Sequence, residues 1–279
     1  MPEGPEVKYL VDSLNKKYKN KYISNINILG GRYKRHKNLV NYEEIKKLLP
    51  LKIVSINSHG KFIYWVFESE YVLFNTLGMT GYWITSKEKH NNIELIINNK
   101  SLFFNDYRNF GTLKFCKKEF LKKKLIELGP DLLAIDSNLE EFKKRLDRKR
   151  NDTAIGTAIM DQKVLAGCGN YIRAEALYII KMSPFKKIND LSQNDIKNVY
   201  DILRQLSWYY YDEDKGNKLK IINKKYKLSP KQKKIGPSSY KPAEEIFYVY
   251  RQKKDPFGNN VETDKLGTRT IHYVSKIQK

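Results

Sequence analysis

The chain has 279 residues, enough for one large or two ordinary domains with a sizeable core, and its formal charge of +22 calls for a polyanionic partner. No apolar run reaches the roughly 18 residues that span a bilayer. The start also lacks the basic-then-apolar layout of a secretory leader, so a soluble, intracellular protein without membrane attachment is expected.

In chain order, "MPEGPEVKYL" comes first. Pro2, Glu3, Pro5 and Glu6 precede Val7, Leu10, Val11 and Leu14 at three- and four-residue spacing, the pattern of an amphipathic helix with proline and carboxylates in its first turn. From about 22 to 117 the chain reads as strands with turn punctuation, including a hairpin signal in "IVSINSHGKFIYWVF" around His59-Gly60. Short strands at this spacing predict a β-sandwich or barrel. "ELGPDLL" breaks the pattern, and from about 138 it turns helical: "LEEFKKRLDRKR", "NYIRAEALYIIK", then "SQNDIKNVYDILRQLSWYYYD". Residues 214–241 carry 10 lysines against one acid, Asp214, and read equally as a solvated loop or a nucleic-acid contact. The final stretch from "EEIFYVY" to "RTIHYV" has two strand-like runs joined by turn residues, which predicts an appended β-hairpin.

The predicted class is therefore α+β, strands first and helices second. The expected division is an N-terminal β-sandwich with flanking helices over 1–133, a helical domain over 134–245 and a β-hairpin over 246–279. Of the 53 basic residues, 43 are lysines, a bias that an AT-rich genome also produces. Cys116 and Cys168 are far apart and lack the paired spacing of a structural zinc site, so each reads as a small hydrophobe and neither a metal nor a cofactor is expected.

Chemistry concentrates in "MDQKVLAGCGNYIRAEALY" at 160–178. Gly167 and Gly169 bracket Cys168 between two helical patterns, so a tight turn and a fresh helix N-terminus meet there, a geometry that suits phosphate, although a plain helical corner has the same signature.

This segment resembles the helix-two-turn-helix of the Fpg/Nei family of DNA glycosylases, and "GNYIRAEALY" is most similar to the endonuclease VIII (Nei) branch. The resemblance implies that Asn170 binds a DNA backbone phosphate. "PEGPEV" is similar to the family N-terminus, where loss of methionine frees a proline amine, here Pro2, as the catalytic nucleophile. Its secondary amine would give an iminium with no N–H proton to lose, an electron sink for strand-cleaving elimination, and a terminal amine titrates far below a lysine. By the same resemblance Glu3 moves protons during base departure. Glu6 either orients the amine or simply sits in the first helical turn.

"SHGKF" resembles the family segment whose lysine, here Lys61, assists catalysis at the phosphate near the lesion. "LGMTG" looks like the void-filling loop, with Met79 as the wedge that replaces the extruded base; the other reading of Met79 is a core methionine on a strand. "NDYRNFG" resembles the Asp-x-Arg-Arg-Phe-Gly segment, so Arg108 and Phe110 would address the opposite base, with Asn109 replacing the second arginine. The C-terminus departs from the four-cysteine finger of most members: Val274 and Ile277 stand where cysteines would fall, Gln278 is kept, and "RTI" resembles the zincless finger of vertebrate Nei-like proteins. Arg269 matches an arginine that reaches phosphates flanking the lesion.

The resemblance implies a monomeric bifunctional DNA glycosylase and abasic-site lyase of base excision repair. It would act on damaged DNA, duplex or also single-stranded, to remove oxidised pyrimidines and formamidopyrimidines through a Pro2 Schiff base and β,δ-elimination. 8-Oxoguanine would be a poor substrate, and the loop that grips a purine would fall in 212–240. The rival reading is a non-catalytic nucleic-acid-binding protein on the same scaffold, which needs neither a free Pro2 amine nor Glu3.

Overall fold

The structure, a computed structural model, describes residues 2–35, 39–211 and 247–279. The Lys-rich segment 214–241 and the expected purine-gripping loop at 212–240 lie outside them. The chain divides into two compact units. One comprises Met1–Pro2 with Val7–Glu127; the other comprises Glu3–Glu6 with Leu128–Lys279.

The first unit is built on eight strands: β1 (Tyr22–Ile28), β2 (Leu51–His59), β3 (Phe62–Phe67), β4 (Tyr71–Thr76), β5 (Tyr82–Ile84), β6 (Asn91–Ile97), β7 (Lys100–Asn105) and β8 (Thr112–Lys117). Their hydrogen-bonded order is β5-β7-β6-β1-β2-β3-β4-β8, with all pairs antiparallel. β1 and β2 share only two register pairs, Tyr22↔Lys52 and Ile23↔Leu51. The strands to either side of that weak join face one another. Trp65 on β3 lies 5.3 Å from Trp83 on β5, and Trp83 Nε1 donates to Asn75 Oδ1 on β4 at 3.0 Å. Alternation explains the burial of Ile63, Trp65 and Phe67 on one face of β3, while Phe62 is covered on the other face, where its ring lies 5.0 Å from that of Phe74. The predicted hairpin turns at Gly60, whose φ of 56° places it in the left-handed region that lacks a Cβ penalty.

Helices flank the sheet of this half, as expected, although the sequence marked the place of only the first. α1 (Gly4–Tyr18) carries Pro5 in its first turn, as expected. α2 (Gly31–Arg35) and α3 (Tyr42–Lys47) fill the β1–β2 connection; they are too short to show a helical period in sequence. α4 (Glu119–Glu127) follows β8 and buries none of its residues, so its apolar positions give no amphipathic signal that faces a core.

The second unit holds α5 (Leu139–Asp147), α6 (Ile155–Ala158), α7 (Asn170–Ile179) and α8 (Gln193–Tyr211) around one apolar cluster that includes Phe142, Leu177, Leu203 and Val274. Asn138 caps α5 by accepting from the backbone N–H of Glu140 and Glu141. Every residue of α7 from Tyr171 to Ile179 is buried, which makes it the central helix of its unit and forces its two charged residues to find internal partners.

One of these relocates the C-terminal hairpin. The Glu175 carboxylate accepts N–H bonds from Tyr248, Val249 and Tyr250 at 2.7, 2.9 and 2.8 Å. Those donors are thereby lost to a ladder, so residues 247–250 form bends and a turn instead of the predicted strand. The hairpin forms downstream, between β9 (Glu262–Leu266) and β10 (Arg269–Tyr273), around Gly267 at φ 63°. Val274 is buried, and Gln278 both accepts from the Val274 N–H at 2.7 Å and donates to the Met182 carbonyl at 2.9 Å. Asp255 organises the preceding loop by accepting from Tyr178 Oη and the backbone N–H of Phe257 and Asn259, each at 2.8–2.9 Å. Packing and side-chain hydrogen bonds hold this region. Its residues do not fit a zinc ion: Cys116 and Cys168 are buried elsewhere, and no cluster of three His, Cys, Asp or Glu side chains exists among the described residues.

Candidate active site

In the second unit the start of the chain meets the start of α7. Glu3 is buried, and its carboxylate accepts from the Tyr171 N–H (Oε1, 3.0 Å) and the Ile172 N–H (Oε2, 3.3 Å). These are first-turn donors that a helix cannot satisfy itself, at the end where its dipole favours negative charge. The turn and helix start were expected to suit a phosphate, and here the Glu3 carboxylate holds two of the helix's first amides. In the turn, the Gly167 N–H donates to Gln162 Oε1 at 3.0 Å.

Glycine is required on both sides of this contact. A Cβ on Gly169 would overlap the Glu3 carboxyl group, and one on Gly4 would meet the Gly167 Cα at 3.0 Å. Gly4 N–H also donates to the Gly167 carbonyl at 2.9 Å, which ties the two segments backbone to backbone. Gln162 clamps the far side of the turn by donating to the Cys168 carbonyl at 2.9 Å. Sequence reasoning missed Gln162; its only signal is its place five residues ahead of the glycine pair.

Glu6 is buried as well. Oε2 accepts from the Glu3 N–H at 2.8 Å and Oε1 from Tyr171 Oη at 2.7 Å. Burial pushes its carboxyl above the usual range, with the tyrosine and Glu3 hydrogen bonds opposing. Tyr171 thus touches both carboxylates, with its amide on Glu3 and its phenol on Glu6. Burial and the two glutamates push the phenol well above the ordinary tyrosine value, so it stays a donor.

One turn along α7, Arg173 is almost fully buried. It donates to the Gly156 carbonyl at 3.0 Å, to the Thr270 carbonyl at 3.3 Å and to Asn170 Oδ1, while Asn170 Nδ2 donates to the Thr270 carbonyl at 2.9 Å. Arg269, next to Thr270 at the hairpin tip, is exposed, and its charge reaches Arg173. Glu3, Glu6, Asn170 and Arg269 are therefore grouped around α7.

The first unit groups a different set. Met79 lies half-exposed in the turn 78–80 that follows β4, not on a strand. Arg108 and Phe110 are exposed in the loop before β8, with the guanidinium 5.0 Å from the Phe110 ring centre. The two loops fit closely, because a Cβ on Gly78 would come within 2.6 Å of the Gly111 nitrogen. Asp106 joins them, accepting from Thr80 Oγ1 at 2.5 Å and from the Gly111 N–H at 2.6 Å. Asn109 takes a left-handed φ of 57°, a conformation asparagine tolerates, and accepts from Asn92 Nδ2 at 2.9 Å. Lys61 stands in the turn between β2 and β3 and makes no ion pair among the described residues, and Pro2 is buried.

Asp106 is the first residue of the quoted Asp-x-Arg-Arg-Phe-Gly-like segment, but its joining role left no signal because it acts through turns 26 residues apart. An Asp106→Ala substitution should leave the Thr80 hydroxyl and the Gly111 amide without their acceptor and cost about 1–3 kcal/mol, read as a lower midpoint in urea unfolding.

Comparison with known proteins agrees over most of the length. Family models described as the formamidopyrimidine-DNA glycosylase N-terminal domain, H2TH domain and C-terminal domain match residues 1–113, 128–206 and 240–279. The formamidopyrimidine-DNA glycosylase of Oceanobacillus iheyensis is 35% identical over 208 residues, 71% of this chain and 72% of the relative. That of Mycoplasma mobile is 36% identical over 206 residues, covering 71% and 73%. Among solved structures, Lactococcus lactis formamidopyrimidine-DNA glycosylase bound to abasic-site DNA superposes with a TM-score of 0.76 at 20% identity over 99% of both chains. The same enzyme with DNA containing an oxidised pyrimidine gives 0.77 at 23% identity over all of both. The relatives bear the Fpg name, not the Nei name of the branch that "GNYIRAEALY" resembles. The chain belongs to the Fpg/Nei family of DNA glycosylases.

Proposed function

We propose that the protein is a bifunctional glycosylase and abasic-site lyase that removes oxidised pyrimidines and formamidopyrimidines from DNA, with Pro2 as nucleophile. The observation that carries this reading is the Glu3 carboxylate, the residue next to Pro2, buried and fixed on the first turn of α7.

After removal of Met1, the neutral Pro2 amine attacks C1′ of the damaged nucleotide. The Glu3 carboxylate takes the N–H proton that the attacking amine sheds and passes it to the sugar ring oxygen as the ring opens, while the base departs as an anion that water protonates, leaving an iminium joined to the sugar. Having no N–H to lose, the iminium keeps its positive charge and draws electrons from C2′, so elimination expels first the 3′ and then the 5′ phosphate. Glu6 holds the Glu3 amide, and through it the position of the residue that carries the nucleophile. Lys61, Asn170 and Arg269 hold phosphates around the lesion. Met79 fills the gap in the stack, and Arg108 with Phe110 contacts the opposite base.

The formamidopyrimidine substrates are supported by the names of the relatives, and the oxidised pyrimidines by the Lactococcus lactis complex and the Nei-like motif. Duplexes carrying thymine glycol or a formamidopyrimidine should be cut well and a duplex carrying 8-oxoguanine poorly. Cutting none of them would end this reading. For Arg269, exposed at the hairpin tip, Arg269→Ala should weaken duplex binding alike for all sequences and flatten the salt dependence by about one counterion, measured by anisotropy across a salt series.

A further inference from the structure

α4 is a helix with lysines and large apolar residues that buries neither. Phe120 is 51% exposed and Ile126 63%. It follows the edge strand β8 and lies beside it, and a cavity of about 640 Å³ opens there. Aromatic rings dominate its apolar lining: Tyr71 and Phe74 from β4, Phe115 from β8 and Phe120 from α4. Four lysines also line it, against two glutamates. Lys117 pairs with Glu70 and Lys124 with Glu127, both at 3.3 Å, whereas Lys114 and Lys123 make no ion pair among the described residues. The cavity thus offers an apolar floor with two uncommitted cations at its rim.

Two observations narrow the occupant. First, the edge of β8 is already closed to an added strand: Asn41 Nδ2 donates to the Phe115 carbonyl at 3.0 Å, and Tyr33 Oη accepts from the Leu113 N–H at 2.5 Å. A partner therefore inserts side chains and does not extend the sheet. Second, β4 and β8 pair antiparallel from Thr76↔Thr112 to Tyr71↔Lys117. The Met79 and Phe110 loops leave from the Thr76/Thr112 end, while Tyr71 and Lys117 border the cavity at the other, about 16 Å away at the rise of a strand. On the reading that those loops face DNA, the cavity lies beyond them along the same two strands.

We propose that this cavity is a docking site for an acidic peptide segment of a partner protein, one that inserts a phenylalanine- or leucine-sized anchor between Phe74 and Phe120 and sets carboxylates against Lys114 and Lys123. The anchor supplies the burial, and the two lysines supply the sign that selects an acidic flank over a basic one.

The test uses the full chain and a fluorescein-labelled octapeptide of aspartates around a central Phe-Leu pair. The peptide should bind, Lys114→Glu/Lys123→Glu should weaken it roughly tenfold or more, and replacing Phe-Leu by serines should weaken it by a similar factor. Phe120→Ser, at an exposed position, should do the same without loss of thermal stability. Damaged duplex should not displace the peptide, and the charge-reversed protein should cut damaged duplex at the wild-type rate, so the docking site and the proposed activity fail independently. Absence of binding, equal binding by the serine peptide, or indifference to charge reversal would overturn the proposal, the last two reducing it to general attraction toward a basic protein. Displacement by duplex or by a single-stranded oligonucleotide would overturn it in favour of a nucleic-acid surface.

Discussion

A Gly169→Ala protein should fold, bind duplex DNA, and release damaged bases about 10²–10⁴-fold more slowly than wild type, the range spanned by loss of a positioned general acid. The argument is steric. Gly169 has φ −135° and ψ −163°, extended backbone that alanine adopts freely, so the substitution carries no conformational penalty of its own. The added methyl instead occupies the place of the Glu3 carboxyl, which must leave the α7 amides. Single-turnover base release reads the effect. If displacement of Glu3 is its whole cause, Gly169→Ala should add little to a protein that already carries Glu3→Ala, which a double-mutant cycle measures directly. Additive losses would place the cause elsewhere in the turn.

The second large effect concerns Glu175. This carboxylate is wholly buried, and burial pushes it up to about 7 from 4.5 even though three backbone N–H groups pull the other way. A native value above the unfolded one means the folded chain binds the proton more tightly. Its contribution is therefore complete below about pH 4.5 and is lost as pH rises through 7. The shift corresponds to about 3 kcal/mol between those limits. Glu175→Gln, which imitates the protonated acid, should match wild type in stability near pH 5 and exceed it at pH 8, in urea melts of the two proteins side by side. The opposite order at pH 8 would mean that the three N–H donors outweigh burial. Glu175→Ala should be the least stable of the three at every pH, since it strands all three donors.

Sequence and structure diverge where contacts are long-range. The proline in the first turn of α1 and the glycine turn at 167–169 were legible because local chemistry dictates them, whereas the roles expected of Pro2 and Glu3 came from the family resemblance alone. α5, α7 and α8 were legible from their apolar period. What joins these pieces was not. Glu3 reaches amides 168 and 169 residues away, Glu6 a phenol 165 away, and Glu175 a backbone 73 to 75 residues on. A side chain that seizes a distant amide leaves no period in the sequence. The same cause misplaced the hairpin, because strand-like composition in "IFYVY" could not reveal that Glu175 takes its donors. α4 escaped notice for the reverse reason, being a helix whose apolar residues serve no core.

The central claim is that the amine of Pro2 becomes covalently joined to deoxyribose. Borohydride reduction of the protein with thymine-glycol duplex, followed by proteolysis and mass spectrometry of the cross-linked peptide, tests it most directly. The account predicts that the reduced sugar sits on the peptide that begins at Pro2, and that Pro2→Gly lowers the trapped yield. A sugar found on Lys61 or any other lysine, or cleavage of the duplex with no trapped species at all, would contradict it.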